Sequence, residues 1–374
     1  MALSGSISDL QIKMWRKKLA KDIADMNYFA QSGMVGADEN NIIQSLDELK
    51  KSPGDTITVP FTAKLSGDGV VGDAELEGNE EEINPYSDKV EIDMIRNAVR
   101  LKGKYDEQRN VYDMFSDAKD KLSIWGQEFT ERQAFLKLAG INVLDLEDMN
   151  GKVYSANSTF ANTGNPVPNA DELAGTGSRY ICADASGLEA MAATDILTVS
   201  IIRQAKAKAK LASPKVKPLR IKGKDYYVMF IHPHQALDLK GTTAYNNAVK
   251  DAWWRGDQNP IFTGALAVID GVILVEHEYV PSIEGDGVIV FTVGHTSYPV
   301  DGVRAFRSLL CGQQALVVAN TKDSWTMVEE DKDYKNKKGI ATGFIGGIQK
   351  LTFNSKDYGV ITVDTGATIY QEVI

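Results

Sequence analysis

The feature that most constrains the fold is a pair of alternating segments on either side of an acidic stretch. In residues 56–65, TITVPFTAKL, every second side chain is apolar: Ile57, Val59, Phe61, Ala63 and Leu65. A period of two predicts a strand with one apolar face, and the pattern returns at Val90, Ile92 and Met94. Pro60 has no N–H to donate, so the first strand pairs on one side only. We predict a long β-hairpin, which is marginal alone and needs a surface to cover its apolar face.

The segment between these strands is acidic and rich in glycine. Residues 67–84, GDGVVGDAELEGNEEEIN, contain no base and seven acids: Asp68, Asp73, Glu75, Glu77, Glu80, Glu81 and Glu82. GDGVVG has the glycine spacing of a dinucleotide-binding loop, but the acids that follow would repel phosphate, and Gly78 interrupts the helix that such a site requires. A calcium loop remains an alternative, although the spacing fits no EF-hand. Seven like charges favour an extended loop that contacts a second protein.

A long helix is the next prediction. Residues 104–138 contain no proline and a single glycine, Gly126, and aromatic and leucine side chains recur at helical spacing. A continuous helix of this length would measure about 50 Å, and Gly140 is a plausible stop. Two helices broken at Gly126 are the alternative.

The rest of the chain predicts mixed α and β structure. Residues 1–50 lack a strong apolar stripe and indicate an arm or a frayed terminus, with a possible helix at 14–26. A second helix is predicted over 188–211. DYYVMFIHP predicts a strand, and ALAVIDGVILVEHEYV predicts two strands joined by a turn at Asp270 and Gly271. CGQQALVVAN begins a short helix or strand. The end of the chain predicts two strands around the turn NSKDYG.

Composition and motifs argue against several classes of function. The net charge of −10 gives no general attraction to nucleic acid or anionic membranes. Two cysteines are too few for a disulfide framework or a zinc site, and no apolar run has the length of a membrane span. The start of the chain has no apolar core of a secretory signal, which argues against a secreted adhesion module. No common hydrolase, P-loop or metalloprotease motif is present.

Two local features leave alternatives open. Residues 206–224, KAKAKLASPKVKPLRIKGK, contain eight bases and no aromatic residue, so they form either a solvated helix end and loop or a nucleic-acid patch without stacking partners. His232 and His234 flank a proline at a predicted strand end, where an enzyme active site could lie. No cluster of acids or cysteines at metal-ligand spacing accompanies them.

Several blocks of sequence, in order, resemble a known family: GDGVVGDAELEGNEEEINPYSDKVEID, VRLKGKYDEQRNVYDM, IHPHQALDLK, WWRGDQNPIFTGALAVIDGVILVEHE, LLCGQQALVVA and FNSKDYGVITVDT. Together they resemble the major capsid proteins of tailed bacteriophages with the Hong Kong 97-type fold, in the branch typified by coliphage N-four. The resemblance implies an α+β fold with five parts: an N-terminal arm (1–50), an extended hairpin loop (51–102), a peripheral domain with a spine helix (103–211), an axial domain (212–340) and return strands of the peripheral domain (341–374).

The same resemblance implies a structural protein without enzymatic activity or a cofactor. Its copies would form the hexamers and pentamers of an icosahedral shell around double-stranded DNA, with no sequence-specific DNA contact and no membrane. Because only about fifty residues precede the hairpin, the comparison implies a separate scaffolding protein. A portal at one vertex and a decoration protein are further expected partners. The protein would be found in the virion, and in the bacterial cytoplasm during assembly.

The resemblance also suggests a role for the acidic segment as the hairpin tip that reaches a neighbouring subunit. We expect its acids to pair with cations of that neighbour in the arm or at the start of the spine helix: Arg16, Lys17, Lys18, Lys102, Lys104 and Arg109. Each surface pair contributes only about 0–1 kcal/mol, so repetition over many copies would give the contact its strength.

Overall fold

A computed structural model describes residues 27–47, 54, 56–62, 70–72, 77, 85–109, 114–140, 145–147, 153–155, 179–184, 191–192, 194–247, 265–283, 289–290, 304–332, 334, 336–353 and 356–368. Its helices are α1 (Tyr28–Gln31), α2 (Lys104–Arg109), α3 (Met114–Ala139), α4 (Val199–Leu211) and α5 (Pro233–Gly241). Its strands are β1 (Val35–Gly36), β2 (Ile43–Leu46), β3 (Thr56–Thr62), β4 (Pro85–Glu91), β5 (Asp93–Arg100), β6 (Asp145–Glu147), β7 (Val153–Ser155), β8 (Tyr180–Cys182), β9 (Leu219–Ile221), β10 (Lys224–Ile231), β11 (Ala265–Ile269), β12 (Val272–Glu276), β13 (Ser282–Ile283), β14 (Ile289–Val290), β15 (Arg304–Cys311), β16 (Leu316–Lys332), β17 (Lys337–Lys350), β18 (Thr352–Phe353), β19 (Lys356–Asp357) and β20 (Val360–Ala367). The predicted α+β class is confirmed.

The first sheet has five strands in the order β1-β2-β16-β17-β5. Strands β16 and β17 form a long antiparallel pair, and β5 is antiparallel to β17 from the Gly346–Asp93 pair to the Gly339–Arg100 pair. Helix α3 packs on this sheet: the rings of Trp125 and Phe129 lie 6.3 and 6.1 Å from the ring of Phe344. The predicted long helix therefore braces a sheet.

Helix α3 runs without a break through Gly126, so the alternative of two helices divided there is wrong. Its 26 residues give a rod of about 39 Å. Gly140 ends it as predicted, with a φ of +69°, and its N–H donates to the carbonyl of Lys137 at 3.2 Å. Residues 110–113, between α2 and α3, lie outside the described residues.

The second sheet has nine strands. Its path is β11-β12-β10-β15-β13-β14, with β20 pairing to β15 and β8, and β9 pairing to β10. Helix α4 lays Ile202, Ala205 and Ala209 on this sheet, and all three are fully buried. The turn predicted between β11 and β12 is confirmed: Asp270 and Gly271 have φ angles of +50° and +82°, which suit a tight hairpin turn.

Several boundaries differ from the sequence predictions. The helix predicted over 188–211 begins at Val199 in the described residues, because Thr198 caps it and Ile196 instead bridges to Gly366. CGQQALVVAN leads into β16, a strand of 17 residues. The two C-terminal strands, β17 and β20, belong to different sheets, with the short pair β18–β19 between them. The expected boundary at residue 340 falls inside β17.

Part of the predicted N-terminal arm is built into the core. Phe29 is 1% exposed, and its ring lies 5.2 Å from that of Phe135 and 5.7 Å from that of Phe230. Strand β2 then joins the first sheet by pairing parallel to β16. Residues 27–47 are therefore an integral part of the fold, whereas residues 1–26, including the possible helix at 14–26, lie outside the described residues.

Candidate inter-subunit interface

The predicted hairpin is present, formed by β3 and β4. These strands are antiparallel from the Thr56–Glu91 pair to the Thr62–Pro85 pair, and Pro60 lies opposite Ser87. Strand β3 pairs only with β4 among the described strands, as Pro60 requires. The hairpin is shorter than predicted, because residues 93–100 leave it to pair with β17.

The apolar face of the hairpin is covered by the same chain. Ile57, Val59 and Val90 are at most 4% exposed and pack with Val317 and Ala319 of β16. Burying side chains of this size contributes about 1.5–3 kcal/mol each. The base of the hairpin therefore needs no neighbour to cover its apolar face.

Polar and close backbone contacts fix the hairpin further. Asp88 Oδ2 accepts hydrogen bonds from the backbone N–H of Thr352 at 2.9 Å and from its hydroxyl at 3.1 Å. At Gly347 a Cβ atom would lie 2.1 Å from the carbonyl oxygen of Glu91, so only glycine permits this approach. The hairpin therefore leaves the body of the protein in a defined direction.

Little of the acidic segment is described. Glu77 is exposed, and Val71 is an apolar side chain that is 87% exposed. The other predicted contact residues of the segment lie outside the described residues: Asp68, Asp73, Glu75, Glu80, Glu81 and Glu82.

Only some of the candidate cations lie among the described residues. Arg16, Lys17 and Lys18 lie outside the described residues, whereas Lys102, Lys104 and Arg109 are exposed in and just before α2. The backbone N–H of Lys104 donates to Asn336 Oδ1 at 3.3 Å. The guanidinium of Arg109 lies 5.4 Å from the ring centre of Tyr105, which is itself 77% exposed. The structure thus groups three predicted cations on one surface but does not show acids against them.

The pair His232 and His234 has a structural role. His232 is the N-cap of α5: its Nδ1 accepts a hydrogen bond from the backbone N–H of His234 at 3.2 Å, and its own N–H donates to Gln235 Oε1 at 2.9 Å. Its ring stacks on Phe306 at 4.2 Å between centroids. These contacts explain the two histidines as a capping box and a ring stack, which removes the basis for an active site.

A second histidine site lies where α1 meets α3. The ring of His277 lies between those of Phe135 and Tyr28, at centroid distances of 4.5 and 4.9 Å. Its Nδ1 accepts a hydrogen bond from the backbone N–H of Tyr279 at 3.1 Å, and burial lowers its pKa from 6.5 to about 4. Glu131 Oε1 accepts from the backbone N–H of Tyr28 at 2.5 Å, and burial raises the pKa of this carboxyl. We name this cluster the α1–α3 junction.

Sequence reasoning missed the buried charges. Arg307 and Asp364 are both fully buried and form a two-point ion pair at 2.9 and 2.8 Å. Arg307 Nη1 also donates to the carbonyl of Ala139, at the end of α3, at 3.2 Å. Lys350 and Asp357 form a second buried pair at 2.8 Å. No local pattern identifies the first pair, because Arg307 and Asp364 lie 57 residues apart in sequence.

The described residues show no sign of metal or membrane chemistry. No group of three or more His, Cys, Asp or Glu in them is placed to hold a metal ion. None of the described helices has the length and apolar character needed to cross a membrane. Cys311 is fully buried, which raises the pKa of its thiol and keeps it protonated, so it is no nucleophile.

Comparisons with known proteins agree with this picture of a structural subunit. A family model described as phage capsid protein matches residues 4–369. The major capsid protein of Pseudomonas phage KPP25 is 29% identical over 368 residues, which cover 95% of this chain and 94% of that one. The capsid of Ralstonia phage GP4 superposes with a TM-score of 0.76 at 28% identity, covering 92% of both chains. The capsid asymmetric unit of cyanophage Pam1 gives 0.69 at 26% identity, covering 92% and 93%. The chain is therefore a structural subunit of a phage shell rather than an enzyme, and it belongs to the phage capsid protein family.

Proposed function

We propose that this major capsid protein assembles as hexamers and pentamers into an icosahedral shell around the double-stranded DNA of a tailed phage. The observation that carries the proposal is a hairpin whose base is packed on its own subunit and whose tip contains seven acids without a base. Such a tip gains little from its own fold, since like charges repel one another. A neighbouring subunit can supply the opposite charge.

The proposed architecture is the Hong Kong 97-type fold, in the branch typified by coliphage N-four. In it, residues 1–50 include the arm, 51–102 the extended hairpin loop and 103–211 the peripheral domain, with α3 as its spine. The axial domain would occupy 212–340, and the return strands 341–374. The packing of α3 on a long antiparallel sheet supports the assignment of the spine.

The two sheets suggest one refinement of these domains. Strands β16 and β17 share a sheet with β5 under α3, whereas β20 pairs with β15 and β8 in the other sheet. We therefore propose that residues 316–350 join the peripheral domain and that β20 joins the axial domain.

The contact between subunits is proposed to be electrostatic. The acids at 68, 73, 75, 77, 80, 81 and 82 of one subunit would meet cations of its neighbour, first among them Arg16, Lys17 and Lys18 of the arm and Lys102, Lys104 and Arg109 in and just before α2. The exposure of the last three supports this. Neutralising Glu80, Glu81 and Glu82 to glutamine should weaken assembly and its salt dependence. Unchanged assembly would contradict the contact.

Other proposed partners follow from the family rather than from contacts. They are a separate scaffolding protein, a portal at one vertex, a decoration protein and packaged DNA held without sequence-specific contacts. An acidic subunit, with a net charge of −10, would let DNA pass along the shell without strong adhesion. Assembly would take place in the bacterial cytoplasm.

Electron microscopy of the purified protein at low and high salt, with mass photometry, tests the proposed function. Closed shells, tubes or rings of five and six subunits are the expected result. A protein that stays monomeric at every salt concentration, and also with its co-expressed scaffolding protein, would overturn it.

A further inference from the structure

Residues 203–224 contain nine lysines and arginines and no acid, in a chain of net charge −10. These residues form most of α4, the loop after it, β9 and the turn into β10. We call them the basic surface. Neither the proposed arm contacts nor the start of α2 includes them.

Most of these charges are exposed. In α4, Lys206 and Lys208 are half-buried and donate to the carbonyls of Asp270 and Tyr180, whereas Arg203 and Lys210 are exposed. The five bases after the helix are exposed as well: Lys215, Lys217, Arg220, Lys222 and Lys224. Seven of the nine basic side chains are therefore exposed.

Two carboxylates neutralise part of the basic surface. Asp270 pairs with Arg203 at 2.6 Å, and Asp225 pairs with Arg220 at 3.7 Å. All four side chains are at least half exposed, so these pairs are screened and weak. The basic surface therefore keeps a large excess of positive charge and fits an acidic partner.

An exposed leucine identifies the kind of partner more closely. Leu211, next to Lys210 at the end of α4, is 84% exposed. The acidic segment has a matching feature, since Val71 is 87% exposed among its carboxylates. Two segments of opposite charge thus each present one uncovered aliphatic side chain, and contact between these would remove apolar surface from water.

We infer that the basic surface of one subunit binds the acidic segment, residues 67–84, of a neighbouring subunit, with Val71 against Leu211. The inference rests on the proposed assembly into a shell, but it makes the basic surface, in place of the arm and α2 cations, the main partner of the acidic segment. A second copy is the favoured source because the hairpin base packs on the first sheet, whereas α4 packs on the second.

Two alternative contacts fit the chemistry less well: a nucleic acid on the basic surface, and the acidic segment against the cations in and just before α2. A nucleic acid would satisfy the lysines, but its phosphates offer nothing to Leu211, and residues 203–224 contain no aromatic side chain for stacking on bases. Residues 102–109 contain Lys102, Lys104 and Arg109, but Asp106 and Glu107 lie among them in sequence and cancel most of their charge.

Disulfide trapping tests the contact directly. Val71→Cys and Leu211→Cys are purified separately, mixed during shell assembly and oxidised mildly. We expect a disulfide-linked dimer on a non-reducing gel, beyond what either variant or the wild type gives alone. The matched control is Leu237→Cys, because Leu237 is a 47% exposed leucine on α5, the other helix of the second sheet. Equal linkage to Leu237→Cys, or no linkage, overturns the inference.

A double variant with Val71→Cys and Leu211→Cys in one chain tests whether the acidic segment contacts a neighbouring subunit or its own. An intersubunit contact gives linked dimers and longer chains from this double variant. A monomer band of altered mobility instead would show that the segment folds back on its own subunit, and this result overturns the inference.

Charge reversal supplies an independent test. Changing Lys210, Lys222 and Lys224 to glutamate should weaken assembly at 0.15 M salt about tenfold, through three weak pairs acting together. Changing Glu80, Glu81 and Glu82 to lysine in the same chain should restore it. A comparison variant changes Lys102, Lys104 and Arg109 to glutamate and also has lysine at positions 80, 81 and 82.

The outcomes separate this inference from the proposed function. The inference is overturned if the lysines at 80–82 restore assembly only in the comparison variant. It is also overturned if the variant with glutamate at 210, 222 and 224 forms normal shells that retain less DNA. Neither result contradicts the proposed assembly into a shell. Failure of the wild-type protein to form any shell would overturn the proposed function itself. Circular dichroism confirms that each variant is folded.

Discussion

Replacing His277 with glutamine should flatten the dependence of stability on pH. In the folded protein this imidazole is neutral, because it lies between aromatic rings and its Nδ1 accepts a hydrogen bond from the N–H of Tyr279. Its pKa is about 4 when folded, against 6.5 for a free histidine. The unfolded chain therefore takes up a proton first as the pH falls. The stabilisation is full above pH 6.5 and is lost between there and pH 4.

The size of the effect follows from the two pKa values. A shift of one unit corresponds to about 1.4 kcal/mol, so lowering the pH from 7.5 to 5.0 should reduce the free energy of unfolding by about 2 kcal/mol through His277 alone. Glu131 acts in the opposite sense: its raised carboxyl pKa contributes stability that is present at low pH and lost as the pH rises. The total slope is therefore smaller than the contribution of His277.

The assay is urea denaturation of the unassembled subunit at several pH values, comparing the wild type with His277→Gln. Glutamine cannot take up a proton in this range, so the difference between the two proteins isolates the imidazole. His234→Gln is the control, because it makes the same substitution in α5, away from the α1–α3 junction. Parallel curves for the wild type and His277→Gln would refute the reasoning.

Three further substitutions test the packing. Gly347→Ala places a methyl group against the carbonyl of Glu91, which should cost about 1–3 kcal/mol and speed hydrogen exchange in the hairpin strands; unchanged exchange would contradict the close approach. Arg307→Met should lower the free energy of unfolding by about 3–5 kcal/mol because it leaves the Asp364 carboxylate buried without its partner, and the double variant with Asp364→Leu should recover part of this in thermal unfolding. His232→Ala should cost about 1 kcal/mol through loss of the helix cap while shells still form, and failure to assemble with normal subunit stability would point to another role.

Local signals made parts of the fold predictable from the sequence. The period of two in residues 56–62, with Pro60 excluding a second partner strand, was sufficient to predict the hairpin. The turn at Asp270 and Gly271 was predicted from the two residue types that most readily adopt positive φ. Gly140 was predicted to end the long helix on the same ground. Each of these depends on a few neighbouring residues.

Sheet membership depends on distant residues and was not predictable in this way. Strands β17 and β20 look alike as apolar segments near the end of the chain, yet one pairs with β5 and the other with β15. The hairpin was predicted to lack a covering surface because Val317 and Ala319, which cover it, lie more than 200 residues further along the chain.

The buried ion pair between Arg307 and Asp364 also depends on residues that are distant in sequence. VITVDT predicts a strand, but its sequence does not show whether Asp364 faces solvent or a second layer. All eight residues of β20 are buried, so Asp364 is enclosed and must be paired, and Arg307 on the adjacent strand supplies the pair. Only knowledge of both neighbouring strands identifies the partner.

The distribution of charge separates folding from assembly. Inside the subunit, opposite charges meet at short distances, as in Arg307 with Asp364 and Lys350 with Asp357, and burial protects these pairs from salt. Two segments of the sequence differ from this pattern, because residues 67–84 carry only negative charge and residues 203–224 only positive charge. Segments of one sign repel themselves and weaken the isolated subunit, but they attract a complementary copy. Added salt should therefore weaken contacts between subunits far more than it weakens the fold, which gives a shell that dissociates into intact subunits.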